Sequence, residues 1–350
     1  MKRILKQSVG IDVAQKELVV QLGRLYEDLS TEVYAHKCFP NTAKGINTLE
    51  QWVLRLTEPT VSIRYVMEAT GVYHESLACY LTDHGYSVSI ILPNKISNYF
   101  RTLSVKTITD KSASEAITLF GLERNLEDWK RPKPVFKYLR QLTRERDQLV
   151  QERTMIKNQL HAEKAESDPN PSTLRRIKQR IDLLNKQEGI IKEEIETLLK
   201  REKELKAELA LLRTIPGIGT LTAATILAET NGFELVRNKR QLASYAGFDV
   251  QEKQPGTSVK GKTRISKKGN KNLRKAMQLP ALTAIRYDQR FKAIFARLVS
   301  KHGIKMKAAV AVQRKLLEMS YTIFKTRTLY NKNYLVKEKV SEKEYQIQQV

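Results

Sequence analysis

The chain has 350 residues and carries 62 Lys and Arg against 38 Asp and Glu, a formal net charge of +24 at pH 7. That length admits two domains with at least one sizeable core, and the positive balance points to a polyanionic partner, nucleic acid first, because clustered cations release condensed counterions when they meet phosphates. Only Cys38 and Cys79 occur, with no CxxC pair and no metal-like His spacing, which argues against a disulfide framework and a structural zinc.

No apolar run reaches the roughly 18 to 20 residues of a membrane span, and the opening MKRILKQSVGID is too quickly polar for a signal peptide. The sequence reads as a soluble, cytoplasmic, nucleoid-associated protein without a membrane partner. Most of the surplus charge sits late: from residue 251 onward there are 24 Lys and Arg against 6 Asp and Glu, a net +18.

Over residues 1–130 short apolar runs at 8–13, 17–24 and 33–39 predict strands. The segment TAKGINTLEQWVLRL predicts a helix, with Ile46, Leu49, Trp52, Val53 and Leu56 on one face. Two buried strands, 61–68 and 86–93, then flank the helical YHESLACYLTDHG. Three meandering strands followed by alternating helix and strand make an α/β domain with a mixed sheet, the order of a ribonuclease-H-like core.

Residues 131–210 are rich in Glu, Lys, Arg, Gln and Leu, with SDPNPS (167–172) as a break where proline forbids continuous helix. Leu174, Ile177, Ile181, Leu184, Ile191, Ile195 and Leu198 recur at heptad-like spacing, so a coiled coil or helical hairpin is expected. Such a seam serves either dimerisation or packing within one chain.

Residues 211–330 open with LLRTIPGIGTLTAATILAE, two apolar helical stretches joined at Pro216-Gly217-Ile218-Gly219. This is a helix-hairpin-helix pattern, in which Gly217 and Gly219 let the backbone bend and offer amide N–H groups to phosphate oxygens. A mainly α domain follows, with Pro280 as a kink or boundary and Gly303 as a stop, and 331–350 is a polar tail. Between them, QPGTSVKGKTRISKKGNKNLRKAM holds no acid, so Lys260, Lys262, Arg264, Lys267, Lys268, Lys271, Arg274 and Lys275 predict a phosphate-binding face. Tyr245 and Phe248 beside it read as core residues.

Three acids carry the chemistry. Asp12 follows the strand SVGI, Glu68 ends SIRYVM, and Asp110 stands at a helix start in KTITDKSASEAITLF. In a ribonuclease-H-like sheet the first and fourth strands are neighbours, so Asp12 and Glu68 come together. Carboxylates at adjoining strand ends can hold Mg²⁺ for phosphodiester transfer. Taken singly, each acid is also an ordinary turn or helix-start residue. Their order resembles the RuvC-like nuclease arrangement.

VGIDVAQKELVV, MEATGVYHESLACYL, SVKTITDKSASEAITLFGLE, LLRTIPGIGTLTAATILAE and YAGF with GTSVKGKTRISKKGNKNLRKAM, in that order over about 300 residues, resemble the DEDD-type insertion-sequence transposases, also described as bridge-RNA-guided recombinases. The resemblance implies a RuvC-like domain joined by a coiled coil to a C-terminal transposase domain. It also implies Mg²⁺ but no organic cofactor, a nucleophilic serine, a structured noncoding guide RNA, double-stranded element and target DNA, and a homodimer or homotetramer that brings the two domains together. Matched position by position, its first three acids fall on Asp12, Glu68 and Asp110. The fourth falls on Ala113, leaving Glu115, Glu123 or a three-acid site. The serine falls nearest Ser258, with Thr257 as the other hydroxyl. The implied activity is serine-mediated strand exchange; a junction-resolving nuclease and a non-catalytic nucleic-acid-binding protein are the alternatives.

Overall fold

The computed structural model describes residues 2–69, 71–103, 109–251 and 264–332. The chain divides into two compact units, Met1–Arg131 and Pro132–Val350. No described helix is long and apolar enough to cross a membrane.

The first unit is a five-stranded sheet, β1 (Ile4–Val13), β2 (Glu17–Tyr26), β3 (Thr31–Pro40), β4 (Ile63–Glu68) and β5 (Ser87–Ile91), in the order β3-β2-β1-β4-β5. β1, β2 and β3 are antiparallel, and β4 joins β1 in parallel, with β5 parallel beyond it. The parallel joins require crossovers. The first is α1 (Ala43–Leu56), which starts where the Thr42 hydroxyl accepts from the Gly45 amide and lays Ile46, Leu49 and Val53 on the sheet. The second is α2 (Glu75–Asp83). Pro93 does not prolong β5; it opens α3 (Pro93–Phe100), where its missing N–H costs nothing. On the sheet's other face lies α4 (Asp110–Glu123), whose Thr109 and Ser112 form a reciprocal capping box.

The second unit is helical. α5 (Pro134–Lys164) and α6 (Pro171–Arg201), 31 residues each, form an antiparallel hairpin across the predicted proline break. The seam residues Ile177, Ile181 and Leu184 cluster with Ile156 of α5, so the heptad face is covered within the chain. Then come α7 (Lys203–Arg213), α8 (Thr220–Thr230) and α9 (Lys239–Tyr245), the short pair β6 (Val250–Gln251) and β7 (Arg264–Ile265), and α10 (Lys271–Ala276). α11 (Gln278–Tyr287), α12 (Gln289–His302) and α13 (Lys305–Thr326) complete it. Pro280 lies in the first turn of α11 and the break falls three residues earlier, at Met277; Gly303 ends α12 at φ +68°. Phe136, Ile195, Leu212, Leu227, Phe248 and Leu316 share one core, and Phe248 is buried in it as the sequence suggests.

The seven-residue step in the seam, from Leu184 to Ile191, is filled by Glu188, only 4% exposed. Arg146 Nη2 and Lys192 Nζ each approach its Oε1 at 2.9 Å, and Arg153 pairs with Oε2. A charge in an apolar seam is tolerated when it is fully paired, and it then fixes register, since a slip would strand it.

Candidate functional site

The position of Asp110 follows from how closely α4 lies on the sheet. Glycines make the approach possible: a Cβ on Gly10 of β1 would stand 2.4 Å from the Thr118 amide nitrogen and 2.5 Å from the Ser114 carbonyl, and one on Gly121 would stand 2.2 Å from Ser8 Oγ. Gln21, opposite Gly10 on β2, donates from Nε2 to the Lys111 carbonyl at 2.7 Å. Gly121 thus lies over Ser8, the 114–118 turn over Gly10 and Lys111 over Gln21, so the helix runs antiparallel to β1. The next step brings its first residue, Asp110, beside Asp12.

Glu68 reaches the same corner from the other side, because Ile11 pairs with Met67 and the following residues are Asp12 and Glu68. The electrostatics agree. Burial pushes the Asp12 carboxyl above the usual carboxylate range, the Asp110 charge adds to this, and the Val13 backbone amide opposes it. Glu68 is pushed up by burial and by Asp12. Asp12 is therefore the middle of three acids, and among the described residues no salt bridge joins any of them to a base.

Glu17, which the sequence reading passed over, shares this face at the tip of β2. The Cys38 thiol beside it is pushed up by burial, by Glu17 and by Asp110. The helix begins at Asp110 and not later. Ala113 therefore sits one turn along, and Glu115 lies about 140° round the helix from Asp110. Glu123 ends α4 some 20 Å from Asp110 at 1.5 Å per residue, and its charge bears on the Tyr99 hydroxyl. It does not replace the missing acid.

The donor set suits a hard divalent cation: three carboxylates, close enough to repel, with no neutralising base among the described residues. They do not converge on a single point, since no three His, Cys, Asp or Glu side chains among the described residues are grouped closely enough to hold an ion.

In the second unit, Gly217 and Gly219 have different tasks. Gly217 has φ +84° and a Cβ there would lie 2.4 Å from the Pro280 carbonyl, so it serves the close crossing of α11. Gly219 is the N-cap of α8 with open space around it and no capping side chain, which leaves the first α8 amides available to an anion.

The basic stretch divides similarly. Arg274 donates from Nη1 to the Ala246 and Gly269 carbonyls, and Lys275 pairs with Asp147 at 2.5 Å, so both are engaged within the fold. Arg264, Lys267, Lys268 and Lys271 are exposed, and among the described residues no carboxylate pairs with them. Ser258, Thr257, Lys260 and Lys262 lie outside the described residues. The segment is anchored by Glu229, Arg144, Asn270 and Asn272, none of them foreseen; the one sequence signal was a glutamate in an otherwise apolar helix.

The family model described as Transposase IS116/IS110/IS902 family matches residues 209–296, and the IS110 DEDD model, described as Transposase, matches residues 9–163. The pilin gene-inverting protein of Moraxella bovis is 28% identical over 334 residues, 93% of this chain and 98% of its own length. The protein of the same name from Moraxella lacunata is equally similar over the same shares. An insertion element IS110 uncharacterized 43.6 kDa protein of Streptomyces coelicolor is 27% identical over 120 residues, 34% of this chain and 29% of its own length. Among solved structures, T. thermophilus RuvC in complex with Holliday junction substrate is 9% identical and covers 35% of this chain and 99% of its own, at a TM-score of 0.28.

Proposed function

The chain belongs to the IS110 transposase family, whose two domain models it carries in order, and is a DNA recombinase acting on phosphodiester bonds; from that premise we propose that it excises and inserts, or inverts, a DNA segment by Mg²⁺-dependent, serine-mediated strand exchange. A structured noncoding RNA directs it, and it works as a homodimer or homotetramer on double-stranded DNA. The observation that supports this reading is that Glu68 of β4 and Asp110 of α4 each come within electrostatic reach of Asp12 of β1, at one corner of the sheet.

Asp12, Glu68 and Asp110 would hold Mg²⁺. When bound, the ion supplies positive charge against the developing negative charge on the phosphate. The Ser258 hydroxyl attacks phosphorus: an Oγ–P bond forms, the bond to the leaving deoxyribose oxygen breaks, and the serine proton ends on that oxygen. Attack by an incoming strand hydroxyl reverses the step and frees the serine, so bond energy is conserved and no external energy source is needed. Lys267, Lys268 and Lys271, with the α8 amides after Gly219, hold backbone phosphates without reading bases.

Incubating the full chain with its flanking RNA, target DNA and Mg²⁺ should give covalent protein–DNA adducts and recombinant product, and Ser258→Ala should remove both. Adducts that persist in Ser258→Ala would overturn the serine assignment. Cleaved strands without any adduct would point to hydrolysis, the junction-resolving alternative.

A further inference from the structure

α8 is apolar along most of its length, yet its tenth residue is Glu229, 1% exposed. A carboxylate so placed persists only if every oxygen is satisfied. Arg144 of α5 forks it, Nε at 2.7 Å from Oε1 and Nη2 at 2.8 Å from Oε2. Asn270 donates from Nδ2 to Oε2 at 2.7 Å, and Asn272 from Nδ2 to Oε1 at 3.0 Å. The Tyr245 hydroxyl donates to the Glu229 carbonyl at 3.0 Å. Burial pushes the carboxyl up, but the bonds from Arg144, Asn270 and Asn272 outweigh it and hold the group below the usual range, ionised.

Both asparagines belong to the start of the basic helix. Asn270 caps α10, its Oδ1 accepting from the amides of Asn272 at 3.0 Å and Leu273 at 3.1 Å, while its own amide donates to the Tyr245 carbonyl at 2.7 Å. Its side chain is therefore fixed at both ends, oxygen to the helix and nitrogen to Glu229. The exposed Lys267, Lys268 and Lys271 flank this clamp, and a Cβ on Gly269 would stand 2.5 Å from the Tyr245 carbonyl, so the turn that presents them lies hard against its support.

We infer that Glu229 is a positioning residue for nucleic-acid binding: by gripping Asn270 and Asn272 against α5 and α8 it holds the turn that presents Lys267, Lys268 and Lys271 in one place. The inference rests on the reading of those lysines as phosphate contacts. Held together, they engage neighbouring phosphates without first being ordered; released, each must lose its freedom on binding.

The test uses the full chain and a duplex DNA probe, with affinity measured against salt. Asn272→Asp leaves the α10 cap in place but sets a second carboxylate against Glu229. It should weaken binding at least about tenfold and make the log–log salt slope shallower by about 1 or more, where each neutralised phosphate is worth about 0.9. Glu229→Gln should do the same. The double variant Glu229→Gln/Asn272→Asp restores one donor facing one acceptor and should recover affinity to within about threefold of the parent. Thermal midpoints of the same variants separate the two causes: affinity lost at the parental midpoint is loss of presentation, whereas affinity that only follows a falling and recovering midpoint is loss of stability and overturns the inference. A folded Asn272→Asp variant with parental affinity and slope overturns the inference, whether or not Glu229→Gln folds. Replacing Lys267, Lys268 and Lys271 together by Ala separates the two ideas. If that variant keeps the parental slope, the phosphate reading fails; if it loses the slope while Asn272→Asp does not, only the positioning role fails.

Discussion

Gly10→Ala should damage both the first unit and its chemistry through one displacement. The new Cβ would lie 2.2 Å from Thr118 Oγ1, 2.4 Å from the Thr118 nitrogen and 2.5 Å from the Ser114 carbonyl, where ordinary contact starts at 3.4 Å. Two of the three obstacles are backbone, so α4 must retreat by about 1 Å, and Thr118→Ala added to it brings no rescue. Overpacking of this kind costs about 1–3 kcal/mol. With an unfolding entropy of about 2.1 cal/mol/K per residue over the roughly 130 residues of the unit, that is a fall of about 4–11 °C in its thermal midpoint. The same 1 Å carries Asp110 away from Asp12, a misplacement that can cost about 100-fold in rate. Differential scanning calorimetry and a recombination assay on the full chain read both effects. Gly23→Ala is the comparison: its nearest obstacles are the side-chain ends of Thr118 and Leu122, at 2.7 and 3.0 Å, and it should be milder. A Gly10→Ala protein with the parental midpoint and parental recombination would refute the placement of α4.

Asp12→Asn should abolish recombination yet raise the thermal midpoint. The folded carboxyl titrates above its unfolded value, so its stabilising contribution is complete below about pH 4 and is lost as pH rises through the folded pKa; calorimetry at pH 7 checks the sign. Glu188 behaves in the opposite way. Burial pushes its carboxyl up, but Lys192, Arg153 and Arg146 outweigh this and bring it to about 2. Its contribution should be complete above about pH 4.5 and disappear as pH falls toward about 2, and Glu188→Ala should flatten that part of the stability–pH curve measured by urea unfolding. Replacing Arg274 by Ala should lower stability by about 1–3 kcal/mol through the two carbonyls it leaves, while Lys268→Ala should leave the midpoint unchanged and reduce the salt dependence of DNA binding by about 0.9.

The strands were legible because apolar runs announce themselves, the pairing of β1 with β4 followed only from the ribonuclease-H-like element order, and Asp12 and Glu68 lie where those two strands end. Asp110 was legible as a helix-start acid and joined the other two only through the family resemblance; the residues themselves did not show it, because its place beside Asp12 depends on Gly10, Gly23 and Gly121 allowing α4 onto the sheet, and a glycine in a strand does not say which helix will cross it. Glu188 read as a hole in a heptad pattern, since the pattern counts apolar residues and the partners that make a charge acceptable, Arg146 and Arg153, lie 42 and 35 residues away. Glu229 was hidden for the same reason, its partners lying 85, 41 and 43 residues distant. Buried charges are decided by long-range pairing, which local periodicity cannot encode. The heptad seam itself was visible; that α5 covers it depended on the hairpin closing.

If the corner formed by Asp12, Glu68 and Asp110 drives strand exchange, removing its middle carboxylate stops the reaction without loosening the DNA. The direct measurement is Mg²⁺-dependent recombination by Asp12→Ala, with DNA affinity measured on the same preparation. Asp12→Ala should give no recombinant product and no covalent adduct at parental affinity; recombination by this variant at the parental rate would rule out a role for the corner.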